Sequence, residues 1–470
     1  MLRSWIAAAG ATVLALFITF LVACGGNSGS STQTASAATT MITISDPATC
    51  SAGTGGPFSH VYVTITDVQI NASGSAGDSD SSWIDLTPNL KNSPQQIDLL
   101  GQANSQCFLA SLGSTTELQA GSYQQIRVML AANNATVSGD KCNGTANCVV
   151  LSADNSVHTL LLSSEAKTGL KIPSGQIAGG NFTIAAGQTK DLNIDFNTCA
   201  SIVTQGNGQY RLKPVLHAGE VSTTSTSING RLIDKATNQA IVGGKAIVAL
   251  EQKDASGVDR VMMQTTPDNT GAFVFCPVPA GSYDVVAVAI NGANVEYAAT
   301  ITTGVSPGTA LGNVQMLPTT GTNTGPASIT GTVTTATATP AAGIVVDLTI
   351  SALQQAGSLN VTIPLAQQSS ATATLTTQAG ATCPANTDCA TYTLSVPGVN
   401  PTVGAFSANG TNYVAGASGA ASYTVEAQAF APQSGGKTDC TTPVMTTPAI
   451  SVTPGATPAQ APTLAFIGCQ

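Results

Sequence analysis

Short β-branched segments recur along the whole chain, each bounded by Gly, Asn, Asp or Pro. No long stretch places apolar residues at helical spacing, so amphipathic helices are not expected. Short segments of this kind between turn residues predict strands. The sequence therefore predicts an all-β protein, and 470 residues are enough for several domains.

The clearest predicted strand runs from Val61 to Ile70. Its apolar residues occupy odd positions as far as Ile65 and even positions afterwards. A slip of one residue in a period-two pattern predicts a β-bulge near Asp67. Similar segments make a sandwich-sized set: Tyr123 to Leu130, Val157 to Leu162, Leu170 to Ile172, Phe182 to Ile184, Leu192 to Phe196 and Arg211 to Leu216.

The N-terminus reads as an export signal followed by a lipid anchor. Arg3 precedes an apolar run that ends in Leu21-Val22-Ala23-Cys24, which resembles the bacterial lipobox. The resemblance implies that residues 1–23 are a cleaved lipoprotein signal peptide and that Cys24 is acylated. An uncleaved membrane helix is the alternative, but a Gly- and Ser-rich tether (24–40) follows where stop-transfer sequences are polybasic.

Two or more acyl chains hold a protein stably on a bilayer, so the lipid bilayer is the expected partner of Cys24. Gly25 and Gly26 follow the cysteine without the aspartate associated with inner-membrane retention. We therefore expect an outer-membrane or cell-surface location in the cell envelope.

Ten cysteines remain when Cys24 is set aside, an even number in a chain predicted to be exported. Zinc is the competing interpretation, but the chain has no C-x-x-C pair. Full pairing requires a bridge between the first and second domains, because among the four cysteines without a close neighbour only Cys276 lies beyond residue 220. The predicted disulfides are Cys142 with Cys148, Cys383 with Cys389, Cys440 with Cys469, Cys50 with Cys107 and Cys199 with Cys276.

Two polar stretches, 218–226 and 318–327, are predicted to be linkers. Matching starts follow them, Ser227-Ile228-Asn229-Gly230 and Ser328-Ile329-Thr330-Gly331. The sequence therefore predicts three β-sandwich modules in series, at 41–221, 227–317 and 326–470.

A second element recurs in all three predicted modules. Tyr123, Tyr283 and Tyr423 each follow a turn of small residues and lead into a β-rich segment. This pattern predicts a tight turn whose tyrosine packs the end of a sandwich, as a tyrosine corner does.

The first module resembles a bacterial lipoprotein family known only as the domain of unknown function numbered 4382, for which no activity is known. The residues that carry the resemblance are Val61 to Thr66, Tyr123 to Arg127, Thr168 to Ile172, Leu192 to Phe196 and Gly208 to Val215.

The second module is similar to the carboxypeptidase regulatory-like domain. The similarity rests on Gly230, on the turn Asp268 to Gly271 before Phe273, and on Pro279 to Tyr283. It implies a transthyretin-type sandwich of the carbohydrate-binding-like fold group, with an accessory rather than a catalytic role. The third module fits either the same domain or an immunoglobulin-like sandwich.

Charge argues against a nucleic-acid partner. Only 8% of residues are charged, and the formal net charge is -9. Phosphate binding requires clustered Lys and Arg, which this chain lacks.

Two motifs suggest hydrolases but are incomplete. His217 and Glu220 have the H-x-x-E spacing of metallocarboxypeptidases, yet His60 and His158 lie upstream, where no third ligand is expected. We therefore expect His217 to be a surface histidine at a strand end. The segment Gly304 to Gly308 fits G-x-S-x-G, but Pro307 has no N–H for an oxyanion, so a turn between strands is predicted. The sequence predicts no catalytic residue, metal or cofactor.

Weak ligand candidates lie around Trp83. Asp78 and Asp80 begin like a calcium loop that Asp85 could complete, but Trp83 and Asn89 stand where such loops carry Gly and Glu. A solvated hairpin loop is the favoured interpretation. Trp83 is also the only tryptophan after signal removal, and hence the main candidate for sugar stacking.

The predicted function is a non-catalytic, lipid-anchored envelope or surface protein with a structural, adhesive or scaffold role. The alternative is a surface lipoprotein that binds glycans or another envelope protein. A third hypothesis, an envelope hydrolase, requires His60, His158 or His217 to meet a serine or carboxylate in a pocket.

Overall fold

The computed structural model describes residues 38–45, 58–100, 110–162, 165–196, 198–204, 208–212, 215–221, 227–241, 245–268, 270–337, 346–365, 374–375, 384, 387–430, 440 and 444–469. The predicted signal peptide, Cys24 and nearly all of the tether lie outside these residues, as do Cys50, Cys107 and Cys383.

Strands make up nearly all the regular structure, so the all-β prediction is confirmed. In the first predicted module they are β1 (Ala38–Ser45), β2 (Phe58–Asn71), β3 (Ile84–Asp85), β4 (Gln95–Asp98), β5 (Ala110–Leu118), β6 (Gly121–Tyr123), β7 (Gln125–Leu130), β8 (Cys148–Leu151), β9 (Val157–Leu161), β10 (Leu170–Pro173), β11 (Phe182–Ile184), β12 (Thr189–Phe196), β13 (Ile202–Thr204), β14 (Tyr210–Leu212) and β15 (Leu216–Val221).

The second predicted module contributes β16 (Ile228–Asp234), β17 (Lys245–Lys253), β18 (Asp259–Thr265), β19 (Ala272–Phe275), β20 (Tyr283–Ile290), β21 (Thr300–Val305) and β22 (Ala310–Met316). The third contributes β23 (Ala327–Thr337), β24 (Val346–Ala356), β25 (Leu359–Ile363), β26 (Thr374–Leu375), β27 (Thr387–Val396), β28 (Thr402–Ala405), β29 (Val414–Ala415), β30 (Ala421–Phe430), β31 (Val444–Thr446), β32 (Ile450–Val452), β33 (Ala459–Gln460) and β34 (Leu464–Cys469).

Helices within the described residues are single turns. The α-helical ones are α1 (Glu165–Thr168) and α2 (Thr198–Ser201), and the 3-10 turns are Pro88–Lys91, Ser174–Gln176 and Ala178–Gly180. None of the helices in this part of the chain has the length and apolar character needed to cross a bilayer.

In the first module, the sheet β15-β12-β1-β5 and a larger sheet ordered β10-β7-β2-β8-β9-β14-β13 share one hydrophobic core. The core alternates along the strands, as with Leu192, Ile194 and Phe196 of β12. The pairing of β2 with β7 shifts register between Ile65 and Asp67, which confirms the predicted bulge.

The second and third modules share a sheet, ordered β29-β28-β21-β20-β17-β18-β25-β24-β30-β31. Its two parallel joints between the modules are β18 with β25, through Asp259 and Val361, and β21 with β28 over Thr300 to Thr303. Smaller sheets, β19-β16-β22 and β27-β23-β33 with β34, add further strands to these two regions. The domain limits drawn from the sequence stay a prediction.

Each of the two matching starts places a glycine opposite an aromatic ring. Gly230 pairs with Phe273, and Gly331 pairs with Tyr392. A Cβ at Gly230 would lie 2.7 Å from Cζ of Phe273. Glycine is needed at both starts because the ring of the neighbouring strand lies across the backbone.

The three turn tyrosines are buried and hydrogen-bonded. Tyr123 donates its hydroxyl to the carbonyl of Gln119 (2.7 Å), and Tyr283 donates to that of Pro279 (2.9 Å), each four residues upstream. Tyr423 instead donates to the carbonyl of Pro397 (2.7 Å) on a distant segment. The predicted corner is confirmed in the first two modules, and the third has a different bond.

The first predicted linker is wrong in part, because β15 continues through Val221. The second lies between β22 and β23, where residues 317–326 form no named strand, and the Thr319 N–H donates to the carbonyl of Glu296 (2.8 Å), so it stays a prediction. The strand predicted from Arg211 to Leu216 is divided between β14, which ends at Leu212, and β15, which begins at Leu216.

Candidate functional site

Two of the three histidines have local partners. Nδ1 of His60 lies 2.7 Å from Oδ2 of Asp98, and its ring stacks on Tyr62. Nε2 of His158 lies 2.8 Å from Oγ of Ser156, which also donates to Asp154 (2.6 Å). A nucleophilic triad needs the histidine between the serine and the acid, so this order does not form one.

The side chain of Trp83 is held by contacts with other residues of the first module. The indole N–H donates to the carbonyl of Gly77 (2.8 Å), and the guanidinium carbon of Arg127 lies 4.2 Å from the ring centroid. Arg127 also donates from Nε to Gln69 (2.6 Å). One face of the indole is therefore occupied by a cation–π contact, which leaves less ring available for a sugar.

The three candidate calcium ligands, Asp78, Asp80 and Asp85, have separate partners. Asp78 pairs with Lys171 (2.6 Å), and Asp85 pairs with Lys91 (2.5 Å). Asp80 accepts from the N–H of Ser82 (2.9 Å) in a local turn. Within the described part of the chain, no three His, Cys, Asp or Glu side chains come together as a metal site.

The prediction that His217 is a surface histidine at a strand end is wrong. It lies inside β15 rather than at a strand end, and only 8% of its surface is exposed. Glu220, at the fourth position of H-x-x-E, pairs with Lys190 (2.5 Å). Residues three apart on a strand point to opposite faces, so the motif cannot place both side chains on one ligand.

Asp195 of β12 lies directly opposite His217 in the sheet register. The two side chains point away from the first core because Ile194 and Phe196 point into it. The second module covers this face, and a small cavity of about 10 Å³, partly open to solvent, lies between the face and that module. Besides the pair, the cavity is lined by Asn193, Ala218 and Gly219 of the first module and by Leu250, Met262, Met263, Pro277, Pro279 and Tyr283 of the second.

Three side-chain atoms of the pair have no hydrogen-bond partner. Oδ1 and Oδ2 of Asp195 and Nδ1 of His217 are all buried and unbonded. Burial raises the pKa of Asp195 well above its usual range and lowers the pKa of His217 to about 4. His217 is therefore neutral at pH 7, and burial disfavours the charged form of Asp195.

Neighbouring polar groups on the same face are satisfied. Asn193 accepts from Thr43 Oγ1 (3.0 Å) and donates to Ser45 Oγ (2.8 Å). The unbonded atoms at Asp195 and His217 thus stand out from an otherwise hydrogen-bonded row. The sequence analysis did not identify Asp195. Its alternation with Ile194 and Phe196 shows that it lies on the outer face of the sheet, but alternation does not show that another module covers that face.

Several side-chain hydrogen bonds and an ion pair connect the second and third modules. Arg260 makes a bidentate ion pair with Glu426, through Nη1 to Oε1 and Nη2 to Oε2 (3.0 Å), and donates from Nε to Asp254 (2.9 Å). Thr362 donates its N–H to Glu251 (3.2 Å) and its hydroxyl to the carbonyl of Asp259 (2.8 Å).

Glu296 adds another bond at this joint. Its Oε2 accepts from the N–H of Gly398 (2.8 Å), and burial raises its pKa to about 8.

The predicted disulfide between Cys142 and Cys148 is confirmed. Cys276, Cys389 and Cys440 are also disulfide-bonded. The remaining predicted pairings stay predictions.

The comparisons with known proteins agree with the first sequence resemblance. Residues 37–214 match the family model described as "Domain of unknown function (DUF4382)". No curated protein matches the chain.

Several solved structures match this chain at low identity and low TM-score. Shaft pilin SpaA from Lactobacillus rhamnosus GG is 10% identical with a TM-score of 0.18, covering 60% of this chain and 98% of its own. A streptococcal ancillary pilin is 8% identical with a TM-score of 0.16, covering 91% and 98%. A DUF3823 family protein from Bacteroides uniformis is 11% identical with a TM-score of 0.16, covering 49% and 99%. At such TM-scores, no inference about this chain follows from these matches.

Proposed function

We propose that this protein is a non-catalytic, lipid-anchored structural element of a bacterial cell envelope or surface. The observation that carries the proposal is the sheet that runs without interruption from the second module into the third. Parallel pairing at two strand joints resists bending better than a flexible linker does, because bending would break backbone hydrogen bonds. Such a joint suits a scaffold.

The pattern of polar contacts supports the same role. His60, His158 and the acidic residues around Trp83 are engaged in local ion pairs and turns rather than gathered around a substrate-sized pocket. Hydrolytic chemistry needs a nucleophile, a base and an oxyanion site in one place. We therefore assign these groups a role in stabilising the fold rather than in catalysis.

The anchor rests on the sequence at Cys24. Metabolic labelling with a clickable palmitate analogue tests it, with expression of the native chain beside Cys24→Ala. We expect labelling and membrane association of the native chain, and loss of both in the variant. Cys142→Ser is the matched control, since it removes a different cysteine and should keep the label. Labelling that survives in Cys24→Ala contradicts the anchor.

The non-catalytic assignment has its own test. A fluorophosphonate probe labels activated serines, and we expect no labelling of the purified mature chain. Stoichiometric labelling would contradict the structural role and support the hydrolase hypothesis.

The regulatory-like resemblance of the second module keeps glycan binding as the alternative role. The partly exposed indole of Trp83 is the ring to test, on a glycan array with the native chain and Trp83→Ala. Retention that is lost in the variant would favour glycan binding over a purely structural role.

A further inference from the structure

Three acidic side chains form a cluster at the joint between the second and third modules. Glu251 of β17 is fully buried, and Asp259 of β18 is 2% exposed. Asp284 of β20 lies directly opposite Glu251 in the sheet register, so both project from the same face. Asp259 lies opposite Lys253, two positions after Glu251, and therefore projects from that face as well.

The cluster contacts β25, the strand of the third module that pairs with β18. The Thr362 N–H donates to Oε2 of Glu251 (3.2 Å), and the Thr362 hydroxyl donates to the backbone carbonyl of Asp259 (2.8 Å). Within the described residues, Oε1 of Glu251 and Oδ2 of Asp259 are buried without a hydrogen-bond partner. Both amide atoms of Gln354, opposite Val361 of β25, are likewise unbonded. No donor therefore stabilises these two carboxyl oxygens in an ionised form.

Nearby positive charge does not neutralise the cluster. The other charged groups that face it or adjoin it are Lys253, Asp254, Arg260 and Glu426. Arg260 already bonds to both Asp254 and Glu426, and Lys253 is exposed. The remaining strands that pack here, β19, β21 and β25, carry no titratable residue. The acids thus face one another and apolar neighbours.

This arrangement favours the protonated carboxyl groups. Burial, together with the charges of Asp259 and Asp284, raises the pKa of Glu251 well above its usual range. Burial and the charge of Asp284 raise the pKa of Asp259 to about 6, and burial raises the pKa of Asp284. An acid whose pKa is higher in the closed joint than in water contributes stability at low pH and loses that contribution as pH rises.

We propose that this cluster makes the joint between the second and third modules a pH-sensitive switch, which is closed in acid and opens in alkali while each module stays folded. The proposal rests on the proposed scaffold function, because the same paired joint carries both. It adds the condition under which the two modules come apart and move independently.

Hydrogen exchange of the purified mature chain between pH 5 and 9, measured by mass spectrometry on peptides, tests the switch. Peptides that cover β25 and β28 report on the joint, because the N–H groups of Thr362, Thr402 and Phe406 donate across it. After correction for the intrinsic exchange rate, their protection should fall by up to about tenfold per pH unit for each carboxyl group that ionises on opening. Peptides that cover β12 and β23, within the first and third modules, should keep their protection.

Two variants assign the effect to the cluster. Glu251→Gln and Asp259→Asn remove a charge and keep the side-chain size, and Glu251→Gln keeps an acceptor for the Thr362 N–H. In each variant the protection of the joint should fall less steeply with pH than in the native chain. Glu220→Gln is the matched control, since it neutralises an acid of the first module that is 40% exposed and paired with Lys190, and it should keep the native dependence.

The outcomes separate the switch from the scaffold function. Joint peptides that are protected equally at pH 5 and 9 overturn the switch and leave the scaffold function in place. A parallel loss of protection in β12 and β23 also overturns it, because the modules themselves then unfold. An equally steep fall in both cluster variants assigns the effect to other acids, such as Glu296. Joint peptides without protection at pH 5 contradict the paired joint, and with it the proposed function.

Discussion

The two joints between modules are built differently. Between the first and second modules, a polar sheet face with Asp195 and His217 lies beneath methionine and proline side chains. Between the second and third, strands pair directly and Arg260 bonds to two acids. Both joints keep buried side-chain atoms without partners, at Asp195 and His217 in the first and at Glu251, Asp259 and Gln354 in the second, so what distinguishes the second joint is its strand pairing and its bidentate ion pair.

The largest expected effect is at the second joint. Arg260→Ala leaves Glu426, whose side chain is 5% exposed, without its bidentate partner. Removing one member of a buried pair costs about 3–5 kcal/mol, so the urea midpoint of unfolding should fall sharply.

Replacing both members gives the control. Arg260→Met with Glu426→Leu removes the charges together and should regain most of the lost stability. If Arg260→Ala unfolds like the native chain, the pair does not hold the joint.

The second effect is a pH dependence at the same joint. Burial raises the pKa of Glu296 from 4.5 to about 8, so the folded state keeps a proton that the unfolded state loses between these values. Stability from this group therefore falls as pH rises through this window, by at most about 1.4 kcal/mol per pH unit.

Urea unfolding at several pH values between 5 and 9 measures this slope. The uncharged Glu296→Gln keeps an acceptor for the Gly398 N–H and should lose the Glu296 part of the fall. Identical slopes in the native chain and the variant would mean that Glu296 ionises normally.

At the first joint, close packing should matter more than pairing. A Cβ on Gly219 would lie 2.5 Å from Cγ of Pro279, so Gly219→Ala should destabilise by about 1–3 kcal/mol. Denaturant unfolding measures the loss. Gly175→Ala, which meets nothing within 4 Å, is the control and should change little. Equal stability of the two variants would show that the modules do not press together at Pro279.

The smallest expected effect comes from one hydroxyl of the second joint. Thr362→Val removes the donor to the carbonyl of Asp259 and keeps the side-chain shape. We expect a loss of about 1 kcal/mol in the free energy of unfolding. Thr349→Val on the exposed face of β24 serves as the control. A loss no larger than that of the control would show that this hydrogen bond does not stabilise the joint.

Local features were predictable because they depend on neighbours in the sequence. The bulge near Asp67 follows from a one-residue slip in alternation, and the Tyr283 corner follows from a short turn before a strand. His217 was misplaced because alternation shows which face a residue occupies, but not what covers that face.

By itself, the sequence determined an all-β chain, its bulge, its tyrosine turns and the Cys142–Cys148 bridge, since strand period and short loops act over a few residues. The tertiary structure alone decided that β18 meets β25, that Arg260 reaches Glu426 and that His217 faces Asp195 beneath the second module. Contacts of this kind join residues up to 166 positions apart, and they depend on how whole sheets pack, which no local pattern encodes.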